Sequence, residues 1–102
     1  LDVCRALHEF YQAPRCGEVY NLGGGRANSI SVLEAIDRAQ QTLGKRLEWT
    51  YVDENRTGDH ICYISNLAKL RSHFPYWDVT KTLDDIFAEM AEALRSKETI
   101  AA

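Results

Sequence analysis

Residues Ser31 to Gly44 constrain the fold of this chain more than any other stretch, because a start signal, an apolar face and a stop signal follow one another in a single run. Ser31-Val32-Leu33-Glu34 has the form of a capping box, in which a hydroxyl and a carboxylate satisfy the free amides of a first helical turn. Val32, Leu33, Ile36, Ala39 and Leu43 then fall on one side of a helix, and Gly44 supplies the residue that ends it. The last part of the chain repeats the pattern. Thr82-Leu83-Asp84-Asp85 opens a helix, and Leu83, Ile86, Phe87, Met90 and Leu94 form a stripe of 3.6-residue period. Two further helices are predicted. One starts at the first residues, with Val3, Leu7, Phe10 and Tyr11 in helical register and Asp2 as a weak cap, and stops near Gln12 before Pro14. The other is capped by Ser65 or Asn66, holds Leu67 and Leu70 inside, and ends near Phe74-Pro75.

Between these helices the pattern changes to that of strands. Glu18 to Leu22 reads as a short strand. Leu47, Trp49 and Tyr51 alternate with Arg46, Glu48 and Thr50, as in a half-buried strand, and Ile61 to Ile64 reads as another. The expected fold class is therefore α/β, with short strands and about four helices. The aromatic and Met positions on the helices are expected in the core. A helical pattern already running at the first residue fits a chain cut from something longer.

The chemistry concentrates in Asp53-Glu54-Asn55-Arg56-Thr57-Gly58-Asp59-His60-Ile61-Cys62-Tyr63-Ile64-Ser65. An Arg on a polar loop presents a planar fork of donors to a phosphate or carboxylate, and the Gly permits a turn that a side chain would block. An Arg–Asp pair around a turn also serves simply to fix that turn. His60 adjoins the pair, whereas His8 lies on the outer side of the first helix and His73 near a helix C-terminus. Gly23-Gly24-Gly25, placed between a strand and a helix, has the look of either a phosphate cradle or a plain turn. Three cysteines, Cys4, Cys16 and Cys62, are an odd number with no C-x-x-C, so a disulfide framework is not expected and a reducing compartment is. His60 and Cys62 match no zinc spacing, and no metal site is expected. A net charge of −3 argues against nucleic-acid binding, and no apolar run approaches the ~20 residues of a membrane span.

Three motifs, in order, resemble the NAD-dependent nucleotide-sugar epimerases and dehydratases, the extended short-chain dehydrogenase family. Gly17-Glu18-Val19-Tyr20-Asn21-Leu22-Gly23-Gly24-Gly25 is similar to the family's Tyr-Asn-Leu-Gly strand. Arg56-Thr57-Gly58-Asp59, then Tyr63, then Ser65-Asn66-Leu67-Ala68-Lys69 is similar to its Arg-x-Gly-Asp loop, aromatic strand and Ser/Asp-x-x-Lys helix. Trp77-Asp78-Val79-Thr80-Lys81-Thr82-Leu83-Asp84-Asp85 is similar to the start of its closing helix. Asn66 and Ala68 depart from the usual Asp and Ser. The stretches Gly23–Ser31 and Asp53–Ser65 are most similar to the CDP-tyvelose (CDP-paratose) 2-epimerase branch. The family's glycine-rich dinucleotide turn has no counterpart, since Asn28 stands where a GxGxxG spacing from Gly23 needs its last Gly. Its Tyr-x-x-x-Lys pair has none either: Arg15, Gly24, Asn55, Leu67 and Thr80 follow Tyr11, Tyr20, Tyr51, Tyr63 and Tyr76 at that spacing.

The resemblance implies the C-terminal, substrate-binding portion of a Rossmann-type enzyme, truncated. Residues 1–25 would be the last helix–strand unit of the nucleotide-binding domain and 26–102 the C-terminal lobe. Arg56 would pair with the pyrophosphate of a CDP- or UDP-linked sugar, Asp59 would accept from nucleotide hydroxyls or orient Arg56, Asn21 would close the strand end nearest the sugar, and His60 would lie beside them. No residue of this chain would be catalytic or bind the cofactor; NAD would belong to the full-length parent, and its missing N-terminal Rossmann portion would be a partner. The chain by itself would be inactive, cytoplasmic, and self-associating as a homodimer through the first helix or the Tyr20 segment. The alternative is a free-standing, non-catalytic α/β binding or interaction module.

Overall fold

Every regular element of this chain is a helix. The computed structural model describes residues 1–101 and contains α1 (Asp2–Gln12), α2 (Val32–Leu43), α3 (Ala68–His73) and α4 (Leu83–Ala101). The four helices stand where the apolar spacing and the caps predict them. The expected α/β class is overturned, because the described residues contain no strand and no sheet. Glu18–Leu22, Leu47–Tyr51 and Ile61–Ile64 are all irregular. A helix closes its hydrogen bonds within one segment, whereas a strand exists only when a second backbone pairs with it. Leu47–Tyr51 carries the side-chain alternation of a strand and the other two its residue types, but none pairs with a neighbour, and Trp49, Tyr51, Ile61 and Tyr63 stand exposed.

The chain divides into two units, each drawn from two stretches of sequence. The first comprises Leu1–Ser29 and Ile64–Leu83. Its core is Ala6 of α1 with Leu67, Leu70, Phe74 and Trp77, and Tyr20, Leu22 and Val79 pack against it. α3 can start where it does because the Asn66 side chain accepts the Ala68 amide at 3.0 Å, a cap that Leu67 cannot provide. Burial of Trp77 needs a partner for its indole N–H, which donates to the Asp2 carbonyl at 2.9 Å. The Asp2 side chain does not cap α1. Its carboxylate instead accepts the Thr80 and Lys81 amides at 2.8 and 2.9 Å and the Thr80 hydroxyl at 2.6 Å, while Arg5 donates to it at 3.1 Å. These bonds, led by the one from the Thr80 hydroxyl and opposed by partial burial, hold the Asp2 carboxyl far below the usual carboxylate range. Arg71 reaches Asp78 through two nitrogens at 3.0 and 2.8 Å, and Asp78 is pulled below its ordinary value chiefly by that side chain.

The glycine triplet also belongs to this unit. Ser65, a buried residue, accepts the Gly25 amide on its hydroxyl at 2.9 Å. Asn28 donates to the Gly24 carbonyl at 3.2 Å and accepts the Leu83 amide, also at 3.2 Å, so that one side chain joins the glycine turn to the first residue of α4. The Gly25 donor that a phosphate cradle would aim outward is directed into the protein.

The second unit comprises Ile30–Tyr63 and the chain from Asp84 on. α2 has the full capping box: Ser31 accepts the Glu34 amide, the Glu34 carboxylate accepts the Ser31 amide, and Gly44 closes the helix at φ 66°. The bonds from Ser31 draw the Glu34 carboxyl below its ordinary value. Arg38 pairs with Asp84, Lys45 lies 3.7 Å from Glu98, and Arg95 donates to the Thr42 carbonyl at 3.1 Å, so polar bonds join α2 and its C-terminal flank to α4. Between them lies an open groove of about 380 Å³ lined by Leu43, Phe87, Met90 and Leu94 among others. Ala91 is the one buried residue of α4, and Met90 and Leu94 are exposed. The expectation that every aromatic and Met on the helices is core fails at Met90 and Tyr11, both well exposed, and at Phe10, whose ring is exposed on one side and meets Phe74 edge-on on the other, and holds at Phe74.

Candidate functional site

A two-residue corner builds the loop around Arg56. The Asp59 amide donates to the Arg56 carbonyl at 3.0 Å, which closes a turn over Thr57 and Gly58. Gly58 sits at φ 80°. A type II turn demands a positive φ at this third position, and a residue with a Cβ adopts it only with strain. The same turn carries the side-chain pair. Arg56 Nη2 donates to Asp59 Oδ1 at 3.2 Å, and that oxygen also accepts the His60 amide at 3.2 Å. One carboxylate oxygen thus locks both the Arg and the residue after it. The Arg56 side chain is 82% exposed and that of Asp59 49%.

Such a corner can receive an anion. A guanidinium offers five N–H donors in one plane, and among the described residues the Arg56 guanidinium donates to Asp59 alone. The remaining edge faces water and matches the spacing of two oxygens on a phosphate or carboxylate. Two more carboxylates stand nearby in sequence, Asp53 and Glu54, and Asp53 accepts the Tyr51 hydroxyl at 3.2 Å. His60 is exposed, and its ring lies 6.5 Å from that of Tyr63 in a tilted arrangement. No group of three His, Cys, Asp or Glu able to hold a metal occurs among the described residues, and all three cysteines are free and exposed.

Arg56, Asp59 and His60 are therefore brought together, by local turn geometry. Asn21 lies outside this turn in sequence. It is exposed and belongs to the first unit. Its neighbour Tyr20 is the residue of that segment with a built environment: the Tyr20 hydroxyl lies 2.8 Å from His73 Nδ1, its ring meets Phe74 edge-on, and Lys69 Nζ sits 5.3 Å from the ring centroid while bonding Glu18 at 2.6 Å. Glu18 is drawn below its ordinary value by Lys69. Sequence reading placed Tyr20 on a strand and missed this cluster. Its partners lie more than forty residues away, and no local spacing announces them. No helix among the described residues is long and apolar enough to cross a membrane.

No family model matches the sequence, and neither a curated protein nor a solved structure matches it.

Proposed function

We propose that this chain binds the diphosphate of a CDP- or UDP-linked sugar through Arg56, as the substrate-binding part of a cytoplasmic, NAD-dependent nucleotide-sugar epimerase similar to the CDP-tyvelose 2-epimerases. One observation carries the reading: the Arg56 guanidinium is fixed at one nitrogen by Asp59 on a turn that Gly58 permits, while most of the side chain remains open to solvent. An Arg held in this way loses less rotamer freedom when an anion arrives, so more of each charge-assisted bond appears as affinity. Asp59 orients Arg56, and its partly exposed carboxylate is also able to accept from a ribose hydroxyl. NAD and the groups that move hydride and proton belong to the rest of such an enzyme, outside the residues of this chain.

The test is a calorimetric titration of CDP, UDP and their glucose conjugates into the chain and into R56A. Binding by the unaltered chain that weakens strongly in R56A supports the reading, and equal affinity in both assigns the corner to turn formation alone. A second reading, a non-catalytic binding or interaction module standing alone, is favoured by one feature of the first unit: its core closes around Trp77, 2% exposed, using this chain's own residues. A nucleotide-independent protein partner in place of a nucleotide sugar distinguishes the two.

A further inference from the structure

A polar cavity of about 700 Å³ lies in the second unit, lined by Gln40 of α2 and by Arg46, Leu47, Glu48 and Trp49 of the segment that follows it. Its size falls within the range of small-ligand sites, about 300–1,000 Å³. A regular strand would send Arg46 and Glu48 to one side and Trp49 to the other. The segment is irregular, and all three border one space. Gln40 ties that segment to α2, because its side-chain oxygen accepts the Leu47 amide at 2.9 Å. With the oxygen engaged, the two N–H donors of the Gln40 amide are left to other partners. Arg46, Glu48 and Trp49 are exposed, and among the described residues their side chains form no hydrogen bond or ion pair. Arg46 and Glu48 therefore border the same cavity without pairing across it, so that a donor fork and an acceptor carboxylate both stay open.

We propose that this cavity binds a neutral sugar, laid face-on against Trp49 and held through its hydroxyls by Arg46, Glu48 and Gln40. A sugar ring presents two chemistries at once. Its hydroxyls both donate and accept, and Arg46 and Gln40 supply planar donors while Glu48 supplies acceptors. Its C–H groups form an apolar face with a slight positive charge, which suits the electron-rich face of an indole. Charge narrows the class further. One guanidinium and one carboxylate leave the lining with no net charge. An anion or a cation entering there meets its own sign beside the opposite one, whereas hydroxyls satisfy both groups. The same two charges distinguish the cavity from a surface that more protein covers. The buried centre of a protein interface is depleted of charged side chains, and burying Arg46 and Glu48 without partners is strongly unfavourable.

No residue of the Arg56 turn lines this cavity, and the proposal does not depend on the nucleotide-sugar reading. Nuclear magnetic resonance titration of the chain with glucose, galactose, mannose and maltose tests it. The indole N–H signal of Trp49, identified by its loss in W49F, and the side-chain amide signals of Gln40 are expected to shift together. At least one of the four sugars is expected to saturate these shifts with a Kd of about 1 mM or tighter. W49A is expected to weaken that binding more than about tenfold, E48A to weaken it severalfold, and R56A to leave it unchanged. Circular dichroism of W49A is expected to match the unaltered chain, since Trp49 is exposed. Glucuronate and glucosamine, which add one negative or one positive charge to the glucose ring, are expected to bind more weakly than glucose. The absence of a shift with every neutral sugar, shifts that survive W49A, or tighter binding of glucuronate than of glucose overturns the proposal.

Discussion

Gly23 lies so close to Ser65 that a Cβ built on the glycine would stand 2.6 Å from the serine hydroxyl and 3.0 Å from its Cβ. Ser65 is buried and holds the Gly25 amide, so it cannot swing aside without releasing that donor. Gly23→Ala is therefore expected to cost about 1–3 kcal/mol, the usual range for overpacking. Urea unfolding followed by circular dichroism measures it. Gly58→Ala strains a turn rather than a packed contact, since nothing lies within 4 Å of its Cβ position. A loss under about 0.5 kcal/mol in Gly23→Ala would show that the Gly23 contact relaxes freely.

Asp2 ties the start of α1 to residues Thr80 and Lys81, and its carboxyl titrates far below the ordinary range. A carboxyl depressed in the folded state contributes stability that is fully present above its unfolded pKa, near 4, and is lost as the pH falls below that value. Asp2→Asn is expected to lower stability at pH 7 by about 2 kcal/mol, the loss of charged acceptor bonds. The gap between the two proteins is expected to narrow steadily below pH 4. Unfolding midpoints across the acid range test this, and a constant gap would assign the acid slope to other carboxylates.

Arg56→Ala is expected to weaken CDP- or UDP-sugar binding roughly ten- to a hundredfold, with Arg56→Lys recovering only part, because the fork geometry is gone. Stability is expected to be unchanged within about 0.5 kcal/mol, since an exposed ion pair contributes little. Isothermal titration and thermal melting separate the two effects. A melting shift with unaltered affinity would mean that the pair serves the turn.

The 102-residue chain is expected to turn over no CDP- or UDP-sugar, with or without added NAD. Nothing in its sequence supplies the glycine-rich dinucleotide turn or a Tyr with Lys four residues on, the groups that carry hydride and proton in the family it resembles. Product analysis by chromatography after prolonged incubation checks this, and any epimerised sugar refutes it.

The helices were legible because their signals are local. Ser31 and Glu34 begin α2 and Gly44 ends it, and all three roles depend on residues within a single turn. The Asn66 cap of α3 is local in the same way. The segments around Tyr20, Trp49 and Tyr63 show the converse. Alternation around Trp49 and apolar, aromatic residues around Tyr20 and Tyr63 describe side chains suited to a sheet, while the sheet itself depends on a backbone elsewhere, and none pairs with them here. Asp2 misled for a related reason: an acidic residue at a helix start reads as a cap, yet its partners lie near position 80. At the candidate site the Arg56–Asp59 turn was legible from Gly58, and the Tyr20–His73 contact was not, because it spans 53 residues.

The two tryptophans divide between the two units, and this gives each unit its own optical signal. Trp77 is enclosed in the first and donates to a carbonyl, whereas Trp49, 54% exposed, belongs to the second. Emission from Trp77 should lie to the blue and resist acrylamide, while Trp49 should emit to the red and quench readily. With Trp49 replaced by Phe, the remaining fluorescence follows the first unit alone through denaturation. With Trp77 replaced by Phe, it follows the second. Two chains differing at single positions thus reveal whether the units melt together or in sequence.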